Sequence, residues 1–255
     1  MSEKTHLYHT GYNKDARSTT LQRVRALYEE DGILVLFSKV INTFNKVLKL
    51  LPYSLDYALF NKCFMVGGRA YDYFIHIKNC VITERVVEIP FVYQLLKDTQ
   101  PVDVLEVGNV LNQYFPFPHD VVDRYEVSDG VLNQDILDYH PTKRYDLIIS
   151  ISTVEHIGFD EPVRERGRSK RAIENIVGLL KSKGVAIITV PMGYNPEIDD
   201  IIKSGEVKFT SRYFLKRVGR FNHWKETTME DALKCKYGWE YPNANAVAFL
   251  MYKRG

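Results

Sequence analysis

The chain has 255 residues and a mass of 29.6 kDa, with 45% hydrophobic, 13% aromatic and 26% charged side chains. That balance fits one large globular domain, or a domain with an extension, and argues against wholesale disorder or a membrane-embedded body. The 34 basic and 32 acidic residues leave a net charge of +2, which excludes the strongly basic balance of a dedicated nucleic-acid binder.

Cys63, Cys80 and Cys235 are too few and too scattered for a disulfide framework, and no cysteine pair has zinc-site spacing, so reduced thiols and a cytoplasmic location are expected. Residues 1–20 are polar, without the apolar core of a signal peptide. No stretch approaches the roughly 18 apolar residues of a membrane span.

Charge divides unevenly near residue 80, with +4 before it and −2 after it. Residues 1–80 read as a helical N-terminal extension. After a polar tail, Leu21, Val24, Leu27 and Tyr28 fall on one helical face, which Asp31-Gly32 ends. From 33 to 51, apolar Phe37, Val40, Ile41, Phe44, Val47, Leu48 and Leu51 alternate with Ser38, Lys39, Asn42, Asn45, Lys46 and Lys49 at helical intervals, and Pro52 is expected to end the helix. Such a basic amphipathic helix can touch an anionic membrane, but docking on its own domain is the commoner source of the pattern.

From residue 81 onward the pattern becomes alternating. A helix is predicted over 81–98, bent or restarted at Pro90, followed by strands over 102–107, 119–123 and 145–152. A helix over 171–181, ending at Lys183-Gly184, leads to a strand over 185–190 stopped by Pro191. Segments 213–218 and 246–252 read as two more strands, suited to an antiparallel hairpin at one edge. Continuous apolar strands between helices predict a doubly wound α/β fold over 81–255, its mostly parallel sheet covered by helices on both faces.

In such a sheet, ligands bind beyond the carboxyl ends of the strands, where the strand order reverses. After the first strand, Glu106-Val107-Gly108-Asn109 offers a close backbone approach and free N–H groups for an anion. Asp123, with Glu126 three residues on, ends the second strand, where an acid can bind ribose hydroxyls. Asp135-Ile136 pairs a polar side chain with an apolar one, as an adenine requires. Ser152-Thr153-Val154-Glu155-His156 and Pro191-Met192-Gly193-Tyr194 follow the next two strands. No set of metal ligands is assigned. Glu84, Arg85 and Glu88 fit a solvated helix face and a substrate role equally well, and the run Arg164, Arg166, Arg168, Lys170, Arg171 could meet an anionic acceptor.

Together these clusters resemble the class I, Rossmann-like S-adenosylmethionine-dependent methyltransferases, over roughly residues 81–255. The resemblance rests on VLEVGN (104–109), the acid at 123, QDI (134–136), YDLIISISTVEHIG (145–158) and LLKSKGVAIITVP (179–191). TERVVEIP (83–90) is similar to a prokaryotic branch associated with cell-surface sugars or polysaccharide precursors. The resemblance implies that Glu106 organises the first loop or holds the methionine amino group, and that Gly108, followed by Asn109, allows close approach. It further implies that Asp123, or alternatively Glu126, binds ribose, Asp135 and Ile136 hold adenine, and Ser152 and Thr153 lie beside the sulfonium. O-methylation of a sugar, polysaccharide precursor or other small metabolite would need a base, for which His156 comes first and His223 second, with Glu155 beside His156 as a further catalytic candidate.

The sequence departs from the superfamily in its first loop, where Asn109-Val110-Leu111-Asn112 replaces the usual later glycines. Only 14 residues separate Gly108 from Asp123, so the helix between them must be short or missing. Two alternatives follow. A nicotinamide-dependent oxidoreductase would use the same acid on the second strand but lacks G-x-G-x-x-G glycines, and a non-catalytic methyltransferase-like partner subunit would explain the altered loop.

Overall fold

The computed structural model describes residues 41–42, 48, 50–57, 59, 62–76, 82–115 and 117–255. The helix predicted over 21–28 and most of the one over 33–51 lie outside them.

Residues 50–57 are helical straight through Pro52. A proline inside a helix removes its own N–H and crowds the carbonyl four residues back, yet the helix continues here, with Ser54 Oγ donating to the Leu50 carbonyl at 3.2 Å. Leu50 and Tyr57 are buried, but Ile41, Leu48, Leu51, Leu55 and Leu59 are 43–65% exposed. Of the apolar face expected to dock, Ile41, Leu48 and Leu51 are therefore open to solvent; Leu55 and Leu59 lie beyond it. Next comes a hairpin that the sequence did not suggest, β1 (Cys63–Val66) and β2 (Arg69–Asp72), turned by Gly67-Gly68 at positive φ. The described part of the extension is thus helix plus hairpin, and Phe64, Val66 and Tyr73 share a core with the helix α1 (Arg85–Thr99).

Pro90 neither breaks nor restarts α1. The carbonyl it leaves without a helical donor, that of Val86, instead accepts the Phe74 N–H at 3.0 Å.

The main sheet has eight strands: β3 (Val104–Val107), β4 (Asp120–Asp123), β5 (Val131–Asn133), β6 (Tyr145–Ile151), β7 (Leu180–Pro191), β8 (Ser211–Val218), β9 (His223–Thr227) and β10 (Ala246–Lys253). They lie in the order β5-β4-β3-β6-β7-β10-β8-β9. The first five are mutually parallel, β10 is antiparallel to both its neighbours, and β8 and β9 pair antiparallel. The chain moves outward from β3 through β4 to β5, then returns to place β6 on the other side of β3. That reversal creates a crevice between the carboxyl ends of β3 and β6.

Three strand expectations change. β5 is too short, at three residues, to show alternation. β7 begins at Leu180, because Lys183-Gly184 is an irregularity within the strand rather than a helix end; a Cβ on Gly184 would sit 2.8 Å from the Tyr145 carbonyl oxygen. The two C-terminal strands do pair, but β10 inserts between β7 and β8, and β9 makes the edge hairpin.

Helices α2 (Arg168–Gly178), α3 (Pro196–Ser204) and the single turn α4 (Met229–Ala232) pack on one face of the sheet, while α1 and the hairpin cover the other. β10 shows why both faces must be covered: Ala246, Ala248 and Leu250 enter one core, Val247 and Phe249 the other. Among the described residues no helix is long and apolar enough to cross a membrane.

Candidate active site

The crevice at the β3/β6 reversal holds a cavity of about 230 Å³. Gly108, Asp123, Asp135, Ile136, Ser152, Thr153 and His156 all line it, together with Val107, Val122, Gln134 and Ile157. Two larger, more open grooves lie elsewhere, one beside Arg166 and Lys203 and one beside Tyr93 and Phe117. Neither gathers the strand-end residues.

Glu106 closes the first loop on itself. Fully buried in β3, it accepts from the N–H groups of Val110 (2.7 Å), Leu111 and Asn112 (3.2 Å), and it meets His119 Nε2 at 2.9 Å. These three donors and Gly108 N, which donates to the Val122 carbonyl, are therefore taken, whereas the Asn109 N–H has no acceptor among the described residues. The helix between Gly108 and Asp123 is reduced to one 3-10 turn, Leu111–Gln113. Gly108 sits at φ 84°, and a Cβ there would lie 2.2 Å from Thr153 Oγ1. Close approach is thus needed between the two loops as well as toward any ligand.

Asn109 and Glu126 do not line the cavity. Asn109 Nδ2 donates to Glu126 Oε1 at 2.6 Å, while Ser128 Oγ donates to the same oxygen at 2.9 Å. Asp123 does line it. One of its carboxylate oxygens accepts the N–H groups of Tyr125 and Glu126, both at 2.8 Å, and the other accepts from none of the described residues.

Asp135 is held on both sides. Oδ1 caps the following 3-10 turn by accepting Leu137 N at 2.9 Å, and Oδ2 pairs with Arg168 and, at 3.2 Å, with Arg124. Both guanidiniums also pair with Glu161. This consumes much of the basic run proposed to meet an anion: Arg168 and Arg171 pair with Glu165, and Lys170 with Glu206. Ile136, 4% exposed, supplies an apolar wall.

Ser152, immediately after β6, has φ 39°, a left-handed conformation unusual for serine. Its side chain turns away from the cavity, with Oγ donating to Glu88 Oε1 at 2.6 Å. The same oxygen accepts Thr189 Oγ1 at 2.7 Å, and Arg85 Nη1 donates to Oε2 at 2.7 Å. The Ser152 N–H donates to the Thr189 carbonyl at 2.9 Å, so Ser152 borders the cavity with neither its hydroxyl nor its N–H free. Glu88, an unforeseen member of the site, is fully buried in a helical run that also buries Val86, Val87 and Ile89, on all sides of the helix. An acid within such a run was the one available signal, and surface charge explained it equally well.

His156 follows in the turn Val154–His156. Nδ1 lies 2.5 Å from Asp160 Oδ2 and 3.2 Å from the Tyr194 hydroxyl, which donates to the same Asp160 oxygen at 2.5 Å. Partial burial opposes ionisation of Asp160, but the bonds from Tyr194 and His156 outweigh it and hold the carboxyl below its usual range. Asp160 therefore fixes the hydrogen on Nδ1 and leaves the lone pair on Nε2. Glu155 lies behind the cavity wall, fully buried.

The structure does not bring His223 to this site. It stands on β9, four strands from β6 and so ~19 Å away at about 4.8 Å per strand. There it pairs with Asp56 and packs against Tyr57 and Phe221. Among the described residues no group of three or more His, Cys, Asp or Glu is placed to hold a metal ion.

No protein-family model and no curated protein matches the chain. Solved structures do. The N-methyltransferase NodS from Bradyrhizobium japonicum, in complex with S-adenosyl-L-homocysteine, is 12% identical over 67% of this chain and 91% of its own, with a TM-score of 0.41. A methyltransferase dependent on S-adenosylmethionine from Archaeoglobus fulgidus is 15% identical over 64% of this chain and 93% of its own (TM-score 0.40). The 1,6-didemethyltoxoflavin-N1-methyltransferase of Burkholderia thailandensis, with its substrate and S-adenosylhomocysteine bound, is 11% identical over 65% and 76% (TM-score 0.40).

Proposed function

We propose that this chain is a class I methyltransferase that uses S-adenosylmethionine to methylate a hydroxyl on a sugar, polysaccharide precursor or other small metabolite. The observation that carries this reading is the cavity at the β3/β6 reversal, where an acid with one uncommitted oxygen, an apolar wall and the Ser152-Thr153 backbone converge. Asp123 receives the ribose hydroxyls, Ile136 and Val122 flank adenine, and Ser152 and Thr153 border the sulfur. Asp135, already committed to Leu137 and Arg168, sets the shape of the adenine end.

The donor set fits the nucleoside end of the cofactor. The first loop, closed by Glu106, presents none of its N–H groups from Val110 to Asn112, so the methionine end is held by other groups. When bound, the cofactor supplies a methyl group activated by positive sulfur. The protein's part is to align the acceptor oxygen, exclude water and remove its proton. His156 Nε2 serves that last purpose, with Asp160 fixing the tautomer.

Calorimetry with S-adenosylhomocysteine and NAD tests the assignment. S-adenosylhomocysteine should bind and NAD should not. Asp123→Ala should weaken S-adenosylhomocysteine about 10- to 100-fold, the loss expected for hydrogen bonds to a charged group. Unchanged affinity would mean that Asp123 does not hold the ribose.

A further inference from the structure

Glu155 occupies an unusual position. Its side chain is 1% exposed, and neither carboxyl oxygen has a hydrogen-bond partner among the described residues. The closest cationic candidate, His156 Nε2, is 3.6 Å from Oε1, beyond hydrogen-bond range. From α1, Glu84, Arg85 and Glu88 act on it electrostatically, and Tyr194 after β7 and Tyr237 ahead of β10 complete its titratable surroundings. Arg85 stands among three buried carboxyls and is already held by Glu88 at 2.7 Å, while Arg217 acts on Glu84. Glu155 and Glu84 are both driven upward from the usual carboxylate range, chiefly by burial and also by their acidic neighbours.

This acid-rich region adjoins the part of the cavity assigned to the sulfur. Ser152 lines the cavity and bonds Glu88, while Thr153 and His156, on either side of Glu155 in sequence, line it as well. S-adenosylmethionine carries a positive sulfonium there and S-adenosylhomocysteine a neutral thioether. A cation held close to a buried acid favours its ionised form, and a neutral ligand leaves it unchanged.

We propose that Glu155 is a charge-responsive proton acceptor, which holds a proton when the site is empty or contains the thioether and releases it when the sulfonium is bound. The inference rests on the cofactor reading above and assigns to Glu155 a role beyond the packing of its turn. Ionised Glu155 is then ready to receive the acceptor's proton. As the acceptor oxygen bonds to the methyl carbon, the carbon–sulfur bond breaks and leaves its electron pair on sulfur. The hydroxyl proton moves to His156 Nε2, and a turn of that half-exposed imidazole, which stands 3.6 Å from Glu155 Oε1 before the reaction, brings the proton within reach of the carboxylate. Loss of the positive charge on sulfur and return of the proton to Glu155 coincide, which resets the site.

The test needs no methyl acceptor. Calorimetry in buffers of different ionisation enthalpy counts the protons released when each ligand binds. Near neutral pH, wild-type protein should release about one more proton with S-adenosylmethionine than with S-adenosylhomocysteine. The affinity for S-adenosylmethionine should also gain up to about tenfold per pH unit relative to that for S-adenosylhomocysteine while Glu155 titrates. Glu155→Gln, which keeps the shape of the side chain, should abolish both differences. Equal proton release by the two ligands in wild-type protein overturns the inference without recourse to a variant, and so does a difference that survives in Glu155→Gln. Binding of neither ligand overturns the cofactor reading and this inference with it, so the two failures are distinguishable.

Discussion

Two glutamates lie near the carboxyl ends of neighbouring parallel strands, both fully buried, in opposite surroundings. Glu106, in β3, accepts three backbone N–H groups and faces His119, whereas Glu155, just beyond β6, has no hydrogen-bond partner among the described residues. A saturated buried carboxylate stabilises the loop that wraps it. An unsatisfied one costs stability, and such local conflicts concentrate where a protein does chemistry. The first loop is thus built as structure and the second turn retains a group able to respond to charge.

This contrast can be broken by substitution. The largest effect is expected for Glu106→Ala, which strands the buried N–H of Leu111, the part-buried N–H groups of Val110 and Asn112, and His119 together. It should lower unfolding stability by about 3–5 kcal/mol, because several donors lose their acceptor at about 1–3 kcal/mol for each one left buried and unsatisfied, and denaturant titration would show it. A loss below about 1 kcal/mol, the scale of an ordinary surface change, would mean that the loop does not depend on this carboxylate.

Gly108→Ala comes next, because it adds a Cβ 2.2 Å from Thr153 Oγ1 at positive φ. Strain of this kind costs about 1–3 kcal/mol. The variant should also bind S-adenosylhomocysteine more weakly, because the two loops it forces apart enclose the cavity. Thermal melting and calorimetry on one preparation would separate these effects.

Glu155→Met should act in the opposite direction. An unsatisfied buried polar group costs about 1–3 kcal/mol, so a thioether of similar size should raise stability by about 1 kcal/mol. Because burial raises the folded-state pKa of Glu155, its contribution is fully present below the usual glutamate range and is lost as pH rises through the folded value. The advantage of the methionine variant should therefore grow with pH. An advantage that shrinks with pH would reverse the assigned protonation of Glu155.

Much of this site was legible in the sequence. Asp123, Ser152, Thr153 and His156 follow apolar runs and Asp135-Ile136 lies between two of them, so the rule that ligands gather beyond strand ends groups them from sequence alone. Partner choice was not legible. Nothing local shows that Ser152 turns its hydroxyl to Glu88, 64 residues earlier, or that Asp135 is claimed by Arg168. His223 looked equivalent to His156 as a residue type, and only the insertion of β10 between β7 and β8 moved it to the far edge of the sheet.

The sequence alone determined the alternation of strands and helices, the parallel body of the sheet and the loss of the first helix, because these depend on hydrophobic period and chain length. Tertiary structure decided the strand order, the course of α1 through Pro90 and the fate of each buried acid. Those outcomes depend on which distant donor reaches a given carbonyl or carboxylate. For Glu106 the donors are neighbours in its own loop; for Glu155 no described group comes close enough to hydrogen-bond.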